Sequence, residues 1–336
     1  RCESISRVLL KCISMIEKKS REYEIEDVFR TYGVLTREAG FYFYFSRKIR
    51  ELRECGHEGT ARAYASSLHS MQRYLGKKDF PFIKLSSRII SDYQGKLLAS
   101  GICDNTIGFY LHNIKALFRK GCREMGLELP CPFRDISIKT EKTLKRSLDP
   151  VVIKTLSAIE LEKDSPLSLA RDIFMFSFYT RGMSFVDIAL LKKRHVFPGE
   201  ICYRRHKTDQ LMRVGINKEI SRILERYKNV PGEYIFPLFP AERDPYAGYR
   251  SAYHRIRYSL GKISRVIGLE FPLRLHAARH SWATIAKVNG ASVHVIGECL
   301  GHTSEKTTRI YLKELDHSAL DAVNNQVADF ILAVDD

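Results

Sequence analysis

The chain has 336 residues, 44% of them apolar and 11% aromatic, which is enough to fill cores and excludes a disordered polymer. It carries 55 Lys plus Arg against 39 Asp plus Glu, a formal +16, and only 20 Gly and 11 Pro, which excludes collagen-like and low-complexity classes. A chain of this length fits two domains, and so large a positive excess points to a polyanionic partner, nucleic acid first.

The charge is unevenly spread. Residues 1–145 hold 27 basic and 17 acidic side chains, residues 146–310 hold 27 and 16, and residues 311–336 hold one Lys and six acids. Both candidate domains are therefore basic, as two bodies facing one polyanion would be, and only the tail is acidic. The eight cysteines form no CxxC and no zinc-finger spacing, so they read as free thiols in a reducing cytosol. No run of 18 or more apolar residues predicts a membrane span. The first residue is not Met, and the apolar stretch from Ile5 to Ile16 is broken by Arg7 and Lys11; this predicts a shortened or processed start, not a signal peptide.

In chain order, residues 1–34 read as a helical extension, with Ile5, Val8, Leu9, Ile13 and Ile16 at near-helical spacing. A helix over about 38–54 ends at Gly56. Thr60 is a plausible N-cap for the next, whose Tyr64, Leu68, Met71 and Leu75 share one face. Further helices are predicted at about 86–99 and from an Asn105 cap to Gly126, giving an all-helical domain over residues 35–130. Pro130 and Pro132 stop the last helix, and residues 131–148, with Lys139, Lys142, Lys145 and Arg146, read as a basic linker.

The second domain, residues 149–325, opens on Asp149-Pro150 and a short helix. Ser165-Pro166 then caps a hydrophobic helix reaching Arg181. Short strands are predicted at Val196–Phe197, Ile201–Arg204 and Met212–Ile216. Helices are expected at about 218–228, 246–267, 276–289, 292–299 and 304–311. Residues 326–336 form an acidic tail.

Within this domain the order of polar residues is specific. Phe178-Tyr-Thr-Arg181-Gly-Met-Ser184-Phe-Val-Asp187 is followed by Arg205-His206-Lys207-Thr208. Then come His276-Ala-Ala-Arg279-His280-Ser-Trp282, Leu300-Gly301-His302, and Thr307-Thr308-Arg309-Ile310-Tyr311. This order resembles the catalytic domain of the tyrosine recombinase (phage integrase) family, and the first domain resembles that family's helical core-binding domain. The fold implied is two-domain and mainly α: an N-terminal SAM-like helical domain and a mixed α+β catalytic domain. The stretch from Thr180 to Asp187 resembles the recombinases of Bacteroides-type bacteria that move conjugative elements or invert DNA segments.

The resemblance implies catalytic roles for Arg181, Lys207, His276, Arg279, His302 and Tyr311. The chemistry suits these residue types. Two guanidiniums can fork onto the nonbridging oxygens of a phosphodiester and take the place of a metal's charge. A tyrosine can attack phosphorus and form a 3′-phosphotyrosyl bond. Its solution pKa of about 10 calls for a base, for which His276 is the candidate. Lys207 can protonate the leaving 5′-oxygen, and His302 can donate to the phosphate. No cofactor and no metal are implied. Tyr253 is the best rival nucleophile but lacks a preceding Gly-His segment. Asp187 either orients Arg181 or caps local backbone and is not counted as catalytic; His280 and Trp282 read as structural.

Candidate DNA contacts are Arg62, Arg73, Lys77, Lys78 and Lys84 in the first domain, Lys139, Lys142 and Lys145 in the linker, and Arg205, Arg250 and Arg257 in the second. Arg250, Arg255, Arg257 and Arg265 cannot all face one way on one helix.

The partners implied are duplex DNA with a specific recombination site and further copies of the chain in a tetramer. Residues 312–336 either dock on a neighbouring copy or fold back on their own domain. DNA-bending or directionality factors are possible partners, a membrane is not, and the setting implied is the bacterial cytoplasm at the nucleoid. The function implied is site-specific recombination for integration, excision or inversion. The alternatives are a catalytically silent DNA-binding regulator and a type IB topoisomerase-like nicking-closing enzyme.

Overall fold

The computed structural model describes residues 40–139, 141, 147–239, 245–302 and 304–312, with Leu10, Ile13, Ser14, Ile16, Glu17, Asn325 and Val327. Most of the expected extension over 1–34, Lys142, Lys145 and nearly all of the acidic tail lie outside the described residues. The chain divides into two units, Arg1–Thr143 and Leu144–Asp336.

The first unit is helical: α1 (Phe41–Glu54), α2 (Glu58–Leu75), α3 (Ser87–Ala99) and α4 (Asp104–Glu124). Aromatic residues dominate its core, where Phe41 meets Phe82 edge-on at 4.9 Å between ring centres, an arrangement that favours the opposed quadrupoles. The start of α1 has no local cap. Asp79 supplies one from a distant loop, its carboxylate accepting from the N–H groups of Tyr42 (2.8 Å) and Phe43 (2.9 Å).

Three sequence expectations change here. Helix α2 begins at Glu58 with no side-chain cap, so Thr60 lies inside its first turn. Asn105 does not cap α4, whose N-terminal flank is Cys103, with no side-chain hydrogen bond capping the helix N–H groups. Its amide instead pairs with the backbone of Glu141, donating to O at 3.1 Å and accepting from N at 3.0 Å. That bond belongs to the third change. Phe133 is buried in the helical core, and Cys131, Ile136 and Ile138 pack on it. The segment read as linker from 131 onward is thus bound to the first unit by apolar burial as far as Ile138.

The second unit contains α5 (Pro150–Ala158), α6 (Pro166–Tyr179), α7 (Phe185–Ala189), strands β1 (Val196–Phe197), β2 (Glu200–Arg204) and β3 (Leu211–Gly215), and helices α8 (Lys218–Arg226), α9 (Pro245–Val266), α10 (Leu275–Val288), α11 (Val293–Leu300) and α12 (Glu305–Tyr311). Ser165 caps α6 as the sequence predicts, accepting from Ser168 N, and Asp149 caps α5, accepting from Val151 N. Helix α6 is buried along most of its length and forms the centre of this core with α9 and α10. The strands form an antiparallel sheet in the order β1-β2-β3, with Tyr203 opposite Met212 and Arg204 opposite Leu211. Ile201, Tyr203, Met212 and Val214 face inward at alternate positions, so the polar β2–β3 turn that carries Lys207 is held by a buried strand pair.

Candidate active site

The site is built where α6 ends. Thr180, Arg181 and Gly182 unwind the helix, with Gly182 N donating to Ser177 O at 2.7 Å. Arg181 then has φ +60° and Gly182 φ +74°. A left-handed arginine is strained, and such strain persists only where the surroundings hold it. Ser177 contributes to the hold, its hydroxyl donating to Met183 O at 2.7 Å.

Gly182 also makes room for Arg279. A Cβ at Gly182 would lie 2.6 Å from Arg279 Cγ and 2.9 Å from its Cα, so α10 can approach only a glycine. Arg279 is 5% exposed, and its guanidinium spans two segments. Nη1 donates to Gly182 O at 2.8 Å, and Nη2 donates to Leu300 O at 2.5 Å and lies 2.9 Å from His302 Nε2. His302 reaches α12 through its other nitrogen, with Nδ1 3.0 Å from Thr308 Oγ1. Burial, then the charges of Arg279, Arg205 and Lys207, push the His302 pKa down to about 4. Its ring is neutral at physiological pH.

Three of the remaining predicted residues, Arg181, Lys207 and His276, share surroundings with this pair. Arg181, whose Nη1 makes a 3.5 Å approach to Arg213 O, acts together with Arg279 and Arg205 on the phenol of Tyr203. That phenol is held well above its ordinary pKa by burial first and Asp187 second, with the three arginines opposing. Lys207 is exposed in the β2–β3 turn, close enough for its charge to act on His302. His276, exposed in the first turn of α10, lines a cavity of about 250 Å³ with Arg279, Ser184 and Tyr253. Its ring lies edge-on to His280 at 4.9 Å. Tyr311 is the last residue of α12, whose first turn follows the Gly301-His302 segment.

Two residues change standing. Arg205, read from sequence as a DNA contact, is part-buried and donates from Nη1 to Gly301 O at 2.5 Å, bracing the segment before His302. Asp187, set aside in the sequence reading, is 5% exposed. It accepts from Ser184 Oγ at 2.5 Å and from His206 N at 2.7 Å, which pins the turn bearing Lys207 to α7. Neither partner of Asp187 is marked by spacing, so sequence alone offered only its type and place. Tyr203 and Thr308 were missed for the same reason.

Among the surface candidates, Arg73, Lys77, Lys78, Lys84, Lys139, Arg250 and Arg257 are exposed. Arg62 is paired with Glu58 at 2.8 Å, which offsets its charge. On α9, Arg255 turns inward to Leu238 O at 2.8 Å and to Ser251 Oγ at 3.1 Å. Arg257, Lys262, Arg265 and Arg274 line a basic groove of about 450 Å³ with His254 and Tyr258. Among the described residues no group of three or more His, Cys, Asp or Glu could hold a metal ion, and no helix is long and apolar enough to cross a membrane.

Guanidiniums, an amine and imidazoles in one region of the second unit, with a tyrosine at the end of α12, are the groups of a class of site suited to transferring a phosphodiester between oxygens. The chain belongs to the phage integrase family, whose model matches residues 147–317, and a phage integrase SAM-like domain matches residues 40–133. Among curated proteins it is similar to the tyrosine recombinase XerC of Shewanella oneidensis, 26% identical over 64% of this chain and 70% of the relative. It is also similar to the tyrosine recombinase XerD of Pseudomonas putida, 24% identical over 76% of this chain and 86% of that one. Two solved structures share its fold. One is a lambda integrase dimer bound to a COC′ core site (TM-score 0.60, 16% identity, 82% of this chain and 95% of that chain). The other is the Tn1549 transposon integrase with a circular intermediate DNA (TM-score 0.63, 15% identity, 86% and 99%).

Proposed function

We propose that the protein is a site-specific DNA recombinase that cuts, exchanges and rejoins strands through a 3′-phosphotyrosyl intermediate. The observation that carries this reading is the hydrogen-bonded Arg279–His302 pair at 2.9 Å, ahead of the helix that ends in Tyr311. The scissile phosphate sits against Arg181 and Arg279, which take the growing charge on its nonbridging oxygens. His276 accepts the phenol proton as Tyr311 oxygen bonds to phosphorus. The bond from phosphorus to the 5′-oxygen breaks, and Lys207 gives that oxygen its proton. The incoming phosphate's negative charge offsets the cations that keep His302 neutral and draws Arg279 Nη2 off His302 Nε2, so the ring can take a proton from solvent on Nε2 and donate a hydrogen bond to a phosphate oxygen. Attack by the 5′-hydroxyl of a second duplex reverses the step, and the phosphotyrosyl bond conserves the energy needed for joining.

Four copies on two paired sites, with residues 312–336 docking on a neighbour, complete the assembly in this reading. The lambda integrase, which shares the fold, is known as a tetramer bound to a Holliday junction (TM-score 0.59, 16% identity, 90% of this chain and 86% of that chain). The Thr180–Asp187 stretch supports placement among recombinases of Bacteroides-type mobile elements, acting in the cytoplasm on nucleoid DNA with DNA-bending or directionality factors. The test is a plasmid carrying two ends of the element that encodes the protein, incubated with full-length protein and EDTA. Recombinant circles are the expected product. Relaxation without exchange, or a strict need for Mg²⁺, overturns the reading.

A further inference from the structure

We propose that Thr308 is a positioning residue: it holds His302 in a single tautomer, with the proton on Nδ1, so that Nε2 is kept for the reacting phosphate. The same contact ties the ring to the helix that carries Tyr311. The effect on cleavage rests on the recombinase reading, whereas the tautomer follows from the geometry alone.

A guanidinium has only donors. The 2.9 Å approach of Arg279 Nη2 to His302 Nε2 therefore requires a lone pair on Nε2. A neutral imidazole has one N–H, which must then be at Nδ1, where Thr308 Oγ1 lies 3.0 Å away and accepts it. The low pKa of the ring, set by burial and the cations Arg279, Arg205 and Lys207, agrees with a neutral imidazole.

Thr308 is suited to this work by its place. It is 0% exposed, while its neighbour Thr307 is exposed, so one of two adjacent threonines faces inward. Its hydroxyl is enclosed by α11, where a Cβ at Gly297 would approach Oγ1 to 2.9 Å. It precedes Tyr311 by three residues, close to one helical turn. A shift of α12 therefore moves the acceptor of Nδ1–H and the nucleophile together. When phosphate arrives, Arg279 Nη2 turns from Nε2 to the phosphate and the ring gains its second proton there, while the bond from Nδ1 to Thr308 is unchanged. The proton that comes and goes is always the one facing the substrate.

The test combines ¹⁵N-histidine NMR of the full-length protein with cleavage of a nicked duplex spanning one end of its own element. Wild type and Thr308→Ser are expected to show a protonated Nδ1 and an unprotonated Nε2 at His302, assigned by loss of the signals in His302→Gln. Thr308→Val, of the same shape without the acceptor, is expected to shift toward protonated Nε2 or a mixture. It should also form the covalent adduct about tenfold or more slowly, equivalent to about 1.4 kcal/mol, at unchanged DNA affinity. Thr308→Ser is expected to restore the rate, and Thr307→Val to match wild type. An Nε2–H ring in the wild type overturns the proposal, even where Thr308→Val fails to fold. So does a Thr308→Val protein with wild-type tautomer or wild-type rate. A Thr308-dependent tautomer in a protein that never cleaves DNA supports the ring geometry and overturns the recombinase reading instead.

Discussion

The carbonyl of Gly182 accepts a 2.8 Å hydrogen bond from Arg279 Nη1, and the bare Cα of the same glycine is what allows the arginine to lie there. One residue thus supplies both the acceptor and the space, and it follows directly on Arg181. The two guanidiniums assigned to the phosphate are placed by a single backbone turn.

Gly182→Ala is expected to destabilise the protein by more than the roughly 1–2 kcal/mol of a left-handed alanine, since its Cβ meets Arg279 Cγ at 2.6 Å. Gly199→Ala isolates the conformational part, because Gly199 has φ +83° with nothing near the added carbon. Thermal unfolding should rank Gly182→Ala below Gly199→Ala. Covalent cleavage should fall on the order of 100-fold in Gly182→Ala alone, as for loss of one transition-state donor.

Asp187→Ala removes two hydrogen bonds to a buried carboxylate and is expected to cost about 1.5–3 kcal/mol for each. Because one of them anchors His206 N, the adjacent Lys207 loses its fixed approach. Cleavage should slow while DNA affinity stays unchanged. Asp187→Asn should retain more activity, since an amide oxygen still accepts from His206 N and the Ser184 hydroxyl can reverse its bond. Equal loss of rate in both variants would show that charge, not anchoring, is what matters.

His302 makes stability depend on acid. Its folded pKa is about 4 against an ordinary 6.5, so between those values the unfolded chain binds the extra proton. Stability contributed by the neutral ring is complete above the ordinary value and declines as pH falls toward the folded one. Denaturant titrations at pH 7 and pH 5 should show a smaller pH penalty in His302→Gln. Calorimetry of DNA binding at pH 6 in buffers of different ionisation enthalpy should show proton uptake in wild type that is reduced in His302→Gln.

Arg257 and Arg255 are two positions apart on α9 but should behave differently. Arg257 lines the basic groove, so Arg257→Ala should lower the slope of log affinity against log salt by about 0.9, one phosphate contact. Arg255 is engaged with Leu238 O, so Arg255→Ala should lower the unfolding temperature and leave the slope as it was.

Much of this was legible in the sequence where the signal is local. Ser165-Pro166 and Asp149-Pro150 cap their helices with their own side chains, and the alternation of Ile201 and Tyr203 marks a half-buried strand. The site string was legible because six residue types recur in one order, although no single fragment is specific. What escaped depends on distant partners. Asp79 caps a helix from 37 positions away, Asn105 binds Glu141 instead of its own helix, and Phe133 belongs to a core that its proline-rich neighbourhood conceals. Arg205 and Arg257 are both basic residues in basic surroundings. Only the carbonyl of Gly301 separates a brace from a surface cation.

The central claim is that Tyr311 forms a covalent bond to DNA within a site whose positive charge comes from side chains. The most direct measurement is trapping of full-length protein on a nicked suicide duplex containing its recombination site, in EDTA, resolved by denaturing electrophoresis and peptide mass spectrometry. The account predicts a protein–DNA adduct on the peptide containing Tyr311, and none with Tyr311→Phe. An adduct that persists in Tyr311→Phe, or that forms only when Mg²⁺ is supplied, would contradict it.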